Sequence, residues 1–201
     1  MHISEGVLSA PVLLGGATLA LAGLIRGLRS ISDDDIPKAA ILAAFFFTAS
    51  LIHVPLGPSS AHLIMSGVIG LLLGWAAFPV IFVGLLLQGV LFQFGGLTVL
   101  GVNTFNMAGP AVLLGLALRV GITSQSGRIT AVVGFICGGG AVFLSGLLVA
   151  ICLRLSGNEF RPAAWAVFIG NLPVAVIEGV VSLFCVQFLR KVRPDLLRCR
   201  V

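Results

Sequence analysis

Charge is the scarcest commodity in this 201-residue chain: 12 Lys and Arg and 7 Asp and Glu amount to 9% of it, and tyrosine is absent. A soluble domain carries about 25% charged residues. With 58% hydrophobic residues and a mean hydropathy of +1.15, the chain has too little polar surface to cover a water-soluble core. Soluble enzymes, disordered regions and soluble nucleic-acid-binding modules are thereby excluded. The only lysines are Lys38 and Lys191, and neither sits in a GxxxxGK[ST] loop, so the chain has no phosphate cradle and cannot hydrolyse ATP itself. There is no HExxH, no GxSxG and no acidic pair within an apolar run. The four cysteines form no CxxC pair, which removes a disulfide scaffold and a zinc knuckle; Cys137, Cys152 and Cys185 read as small packing residues. No internal repeat and no soluble domain are visible.

What is present is a succession of about seven apolar segments, near 7–25, 38–53, 62–74, 78–94, 106–120, 129–153 and 163–190. They predict an all-α polytopic membrane protein, a single domain over 1–201, with about six to seven transmembrane helices crossing about 30 Å of hydrocarbon. The third segment is too short to cross as a straight helix. Short, Gly/Pro-interrupted segments are tolerated in a membrane only against protein or a polar cavity. Two such irregular regions are expected, at 53–62 and 94–107. The glycines at 138–140 lie in an apolar run and suit close helix packing. Seven spans with the N-terminus outside put Arg26, Arg29, Lys38, Arg119, Arg128, Arg190, Lys191, Arg193, Arg198 and Arg200 on the cytoplasmic side and only Arg154 and Arg161 outside. The excess of inner basic residues favours N-out, C-in. The net charge of +5 therefore marks orientation and contact with anionic lipid, with no role for nucleic acid.

The few polar residues gather on the expected outer side. Three histidines, His2, His53 and His62, accompany Glu5, Gln93 and Asn103; Glu178 stands alone in the last apolar segment. The head Met1-His2-Ile3-Ser4-Glu5 lacks the basic residues that open a secretory signal, so a free, uncleaved Met1 is expected. That has a chemical consequence. The α-amino nitrogen and the amide nitrogen of His2 close a five-membered chelate ring, and the same amide with His2 Nδ1 closes a six-membered one. One in-plane position remains for another imidazole. Such a nitrogen square suits Ni²⁺ or Cu²⁺ and accommodates low-spin Co²⁺. His62, which follows the irregular Gly57-Pro58-Ser59-Ser60-Ala61, fits the fourth position better than His53, which suits an interfacial or supporting role. Glu5, Asn103 and Gln93 are candidates to hydrogen-bond the ligands. A membrane-embedded metalloenzyme with Glu5 as base, and a structural subunit with interfacial histidines, are the alternatives on residues alone.

The motifs Met1-His2-Ile3-x-Glu5-Gly6, His53-Val-Pro-Leu-Gly-Pro-Ser-Ser-Ala-His62, Gly74-Trp75-Ala-Ala-Phe78-Pro79 and Phe92-Gln93-Phe-Gly95-Gly96-Leu97-Thr98 through Asn103 to Met107 resemble the CbiM/NikM family. These are substrate-binding components of energy-coupling factor transporters for cobalt and nickel. The resemblance implies a non-enzymatic subunit in the plasma membrane of a bacterium or archaeon. It also implies an N-terminal metal-binding loop over 1–6, inserted in the helical bundle, with Met1, His2 and the histidine at 62 as ligands. Co²⁺ or Ni²⁺ would be the transported substrate, with no organic cofactor; the stretch from Gly74 to Asn106 looks more like cobalt members, for which cobalamin synthesis is the expected destination. The implied partners are a CbiQ-like coupling subunit, two CbiO-like ATPases and a small CbiN-like auxiliary subunit. With the chain ending at Val201, the auxiliary subunit is expected to be a separate protein.

Overall fold

The structure, a computed structural model, describes residues 2–56, 59–124 and 126–197, and of 53–56 and 59–62 the backbone alone. Met1 and the side chains of His53 and His62, all expected at the site, lie outside what is described.

Helices dominate. They are α1 (Ala10–Arg29), α2 (Ile36–Ala49), α3 (Ser66–Leu73), α4 (Ala77–Phe92), α5 (Leu100–Ala117), the single turn α6 (Arg119–Ile122), α7 (Gly127–Ser156) and α8 (Arg161–Val192). Their boundaries follow local chemistry. Pro11, Pro37 and Pro162 each stand in a first turn, where the missing N–H has no helical partner to lose. Arg26 and Arg29 close α1 at its negative dipole end. Ser32 Oγ donates to Asp35 Oδ2 at 2.6 Å in the turn that feeds α2.

By length and composition, five described stretches are able to cross a membrane: Ala10–Arg29, Ser66–Phe92, Leu100–Ala117, Gly127–Ser156 and Asn158–Val192. The difference from the expected six to seven lies in two places. The 14 residues of α2 reach only about 21 Å at 1.5 Å per residue. The stretch Ser66–Phe92 is apolar throughout yet broken at Gly74, whose φ is +55°. Contacts show that the chain turns back there. Gly70 of α3 meets Ala111 and Gly74 lies beside Leu116, so α3 runs with α5; α4 begins beside Gly27 of α1 and ends in the loop that touches Asn103, so it runs against them.

The bundle consequently has two chemically distinct ends. One holds the N-terminal segment, the 93–99 loop and Ser156, whose Oγ accepts from Ser9 N–H at 3.1 Å. The other holds Arg26, Trp75 and the start of α2, where Lys38 Nζ donates to Leu72 O at 3.0 Å; the Arg26 guanidinium sits 5.7 Å from the Trp75 ring centre. Gln187 of α8 donates to Gly127 O at that same end. Small residues let the helices approach: a Cβ on Gly67 would strike the backbone of Cys137 and Gly138, one on Gly138 would strike Ser182, and one on Gly139 would strike Ala175 O. The packing role expected for 138–140 is thus what these glycines perform. Leu14, Leu113, Leu155 and Phe184 point outward, exposed as lipid-facing residues must be.

Both irregular regions differ in detail from expectation. The connector over 53–62 is a hairpin of two four-residue strands, β1 (His53–Leu56) and β2 (Ser59–His62), paired antiparallel with His53 opposite His62. It is the one sheet among the described residues. The region expected to stay irregular over 94–107 does so only to Val99. From Leu100 onward it is α5, where Thr104 Oγ bonds back to Leu100 O at 2.7 Å. Asn103 and Asn106 resemble loop residues in sequence, but both are buried in the helix with side-chain partners.

Candidate metal centre

The 93–99 loop forms the floor on which the N-terminal segment lies. Helix α4 stops because Gln93 takes a left-handed φ of +58°, and Phe94 N–H turns back to Gln88 O at 3.3 Å. Gly95 and Gly96 follow at φ +81° and +129°, conformations that side chains resist. Their second reason is space: a Cβ on Gly96 would run into the Glu5 carboxylate, and one on Gly95 would crowd Asn103 Nδ2. The two glycines thus bring the loop backbone against the N-terminal segment.

That segment is then bonded twice over. Glu5 N–H donates to Gly95 O at 3.2 Å, and Thr98 N–H donates to Glu5 Oε1 at 3.0 Å. The Thr98 bond is the main reason the exposed Glu5 carboxyl is held below the ordinary carboxylate range. Deeper in, Asn103 Oδ1 accepts from Ile3 N–H and its Nδ2 donates to Ile3 O, both at 3.1 Å. The Asn103 amide, 2% exposed, pairs with the backbone of Ile3 as a neighbouring strand would. Ile3 and Leu8 add apolar fastening in a cluster with Val99, Val102, Val149, Leu153 and Ala164, from α5, α7, α8 and the loop.

Between these fixtures sits His2, half-buried, its ring centre 6.1 Å from that of Phe94. The next residue's peptide is locked by Asn103, which fixes the backbone at the His2–Ile3 junction. The expected companions of His2 divide accordingly. Glu5 and Asn103 gather around the same segment. Gln93 reaches the region through its backbone, and its side chain is exposed. His53 and His62 are cross-strand partners by backbone register. Among the described residues no three His, Cys, Asp or Glu side chains cluster; a chelate built from a chain terminus and one distant imidazole would not form such a group.

Two features were not readable in sequence. The role of Ile3 as a buried staple has no signature beyond an apolar residue near the start. Glu178 stood out as an acid in an apolar run, but its partners, the N–H groups of Ile64 and Met65, are 114 and 113 residues away.

Residues 2–196 match the model of the family described as "Cobalt uptake substrate-specific transmembrane region", CbiM. A putative metal transport protein of Haemophilus influenzae is 40% identical over 199 residues, covering 98% of this chain and 97% of that protein. The fused nickel transport protein NikMN of Rhodobacter capsulatus is 30% identical over 225 residues, covering all of this chain and 65% of that longer protein. Among solved structures, the crystal structure of a truncated transition metal transporter superposes with a TM-score of 0.75 at 25% identity, covering 95% of this chain and 99% of that one. With a whole-chain family match, a helical bundle of the same fold and several membrane-crossing helices, this chain belongs to the CbiM family and is a multi-pass membrane component of cobalt and nickel transport.

Proposed function

We propose that the chain is the metal-capturing subunit of an ATP-driven importer of the energy-coupling factor type, binding one Co²⁺ at the end of the bundle where its N-terminus lies. The observation that carries the reading is the fastening of that terminus: two reciprocal bonds to Asn103 and two more to the 95–98 loop hold residues 3 and 5. A free terminus needs no such apparatus; a chelating one does. The donors are the Met1 amine, the His2 amide and Nδ1, and the His62 imidazole. Capture releases protons from these nitrogens, so affinity falls on acidification.

Orientation supports capture from outside. Eight described cations, Arg26, Arg29, Lys38, Arg119, Arg128, Arg190, Lys191 and Arg193, belong to the end opposite the N-terminal segment, and Arg154 and Arg161 to its own end. An excess of basic residues faces the cytoplasm in a plasma membrane. The chain lacks a phosphate loop, so ATP hydrolysis belongs to two cytoplasmic CbiO-like partners reached through a CbiQ-like coupling subunit. A fused M–N relative supports a CbiN-like auxiliary partner. Nickel uptake by the same route is the second reading, favoured by the nickel named for that relative and by the suitability of four in-plane nitrogens for Ni²⁺.

The deciding experiment is parallel titration of the purified, untagged chain with Co²⁺ and Ni²⁺ by equilibrium dialysis. One ion per chain with Co²⁺ bound more tightly supports the first reading, tighter Ni²⁺ the second, and no bound ion removes both.

A further inference from the structure

Helix α3 starts inside the protein, with Ser66 to Leu72 all buried. Backbone N–H groups at the start of such a half-helix have no water to turn to. A single side chain from α8 meets the two amides that lead into it. Glu178, fully buried, accepts from Ile64 N–H and from Met65 N–H, the latter at 3.2 and 3.0 Å to its two oxygens. At the other end of α3 the Lys38 ammonium bonds Leu72 O. The cation at its last turn has the sign that the helix dipole favours there. Along its flank α3 is pressed against α7 at Gly67 and against α5 at Gly70, where no side chain would fit.

What this clamp holds is the exit of the hairpin. Leu63 N–H closes the base of β1 and β2 on Ile52 O at 3.3 Å, and the next two amides are those bound by Glu178. Met65 then takes a left-handed φ of +55°, a conformation a methionine keeps only when its surroundings impose it. Three consecutive amides directly after His62 are therefore tied, the last two to one carboxylate.

We infer that Glu178 is a positioning residue for metal capture: by fixing the backbone at Ile64 and Met65 it determines where His62 is presented to the ion. The inference rests on the reading above that His62 supplies the fourth donor. Glu178 never touches the metal. It acts through the hairpin, so its loss leaves the amino-terminal three-nitrogen chelate intact and removes the imidazole that completes the square.

The test is a double-mutant cycle on the full chain in detergent, with Co²⁺ and Ni²⁺ affinity and the visible absorption of the bound ion as readouts. Glu178→Ala is expected to weaken binding by about 10- to 100-fold, the range for residues that orient metal ligands. Its spectrum should shift towards that of His62→Ala, with a water in the fourth position. The decisive arm is the double variant, which should bind no more weakly than His62→Ala alone, because both changes remove the same donor. Glu178→Gln keeps one acceptor oxygen and the side-chain volume; it serves if the alanine variant does not fold, and should fall between wild type and His62→Ala in affinity and spectrum. Glu178 variants with the wild-type affinity and spectrum would overturn the inference, as would additive losses in the double variant, while His62→Ala still shows the loss the underlying reading demands. An unchanged His62→Ala, by contrast, overturns that reading and the inference with it.

Discussion

The N-terminal segment and the hairpin at 53–62 are both short, irregular pieces of chain, yet the bundle fastens them at different depths and with different chemistry. Residues 3 and 5 are bonded at one end of the bundle by a neutral amide and by loop backbone, within reach of an exposed carboxylate. The hairpin's exit is bonded in the buried interior by a single carboxyl group reaching from another helix. The first arrangement can exchange its outer Glu5 bonds for water, though not the buried pair between Asn103 and Ile3. The second cannot: a buried amide deprived of Glu178 finds no replacement partner. A chain terminus thus needs several weak ties, and an internal loop one strong tie.

Four changes probe that contrast. The largest effect is expected from His2→Ala, which removes one nitrogen and a chelate ring; metal binding should fall below detection in equilibrium dialysis, while helical content by circular dichroism stays unchanged. Asn103→Leu comes next. It leaves Ile3 N–H and C=O buried without partners, at about 1–3 kcal/mol for each unsatisfied group. Affinity should drop by at least tenfold, with faster amide exchange at Ile3 and Glu5 but not at Ile64. Gly96→Ala should be milder: a side chain at φ +129° costs about 1–3 kcal/mol, and its Cβ pushes on Glu5. A several-fold loss of affinity with lower thermal stability is expected.

The smallest change is Glu5→Gln, and its pH dependence gives it a signature. The folded-state carboxyl titrates below its ordinary value, so the fold favours the ionised form. That support is whole above the ordinary carboxylate range and is lost as pH falls through the lowered value. At neutral pH the wild type should therefore bind metal slightly better than Glu5→Gln, and the two should converge in acid. The steeper loss of affinity on acidification, common to both, belongs to protonation of the nitrogen donors.

Much of the architecture was legible in the sequence because membrane helices are written in composition. Each of the seven apolar segments contains or overlaps one of the main helices, and Pro37 and Gly74 mark a start and a reversal. The start of α5 was not legible. Asn103 and Asn106 look like loop residues until their partners, Ile3 and Cys152, are known. Nor could the strands of the 53–62 hairpin be foreseen, since Pro55 and Pro58 argue against a strand in any window read alone. At the site, the proposed donors rest on local order alone, because a chelate of residues 1 and 2 depends on nothing distant. Long-range partners were invisible: Asn103 to Ile3 spans 100 residues and Glu178 to Ile64 spans 114.

In the proposed site the chain terminus itself binds the metal, and one extra residue tests it. A chain carrying a single alanine before Met1, with its N-terminus verified by mass spectrometry, moves the amine out of the chelate while leaving Ile3, Glu5 and Asn103 untouched. Titration with Co²⁺ and Ni²⁺ beside the native chain should show binding lost or weakened by orders of magnitude. An affinity equal to that of the native chain would show that the terminal amine is not a ligand.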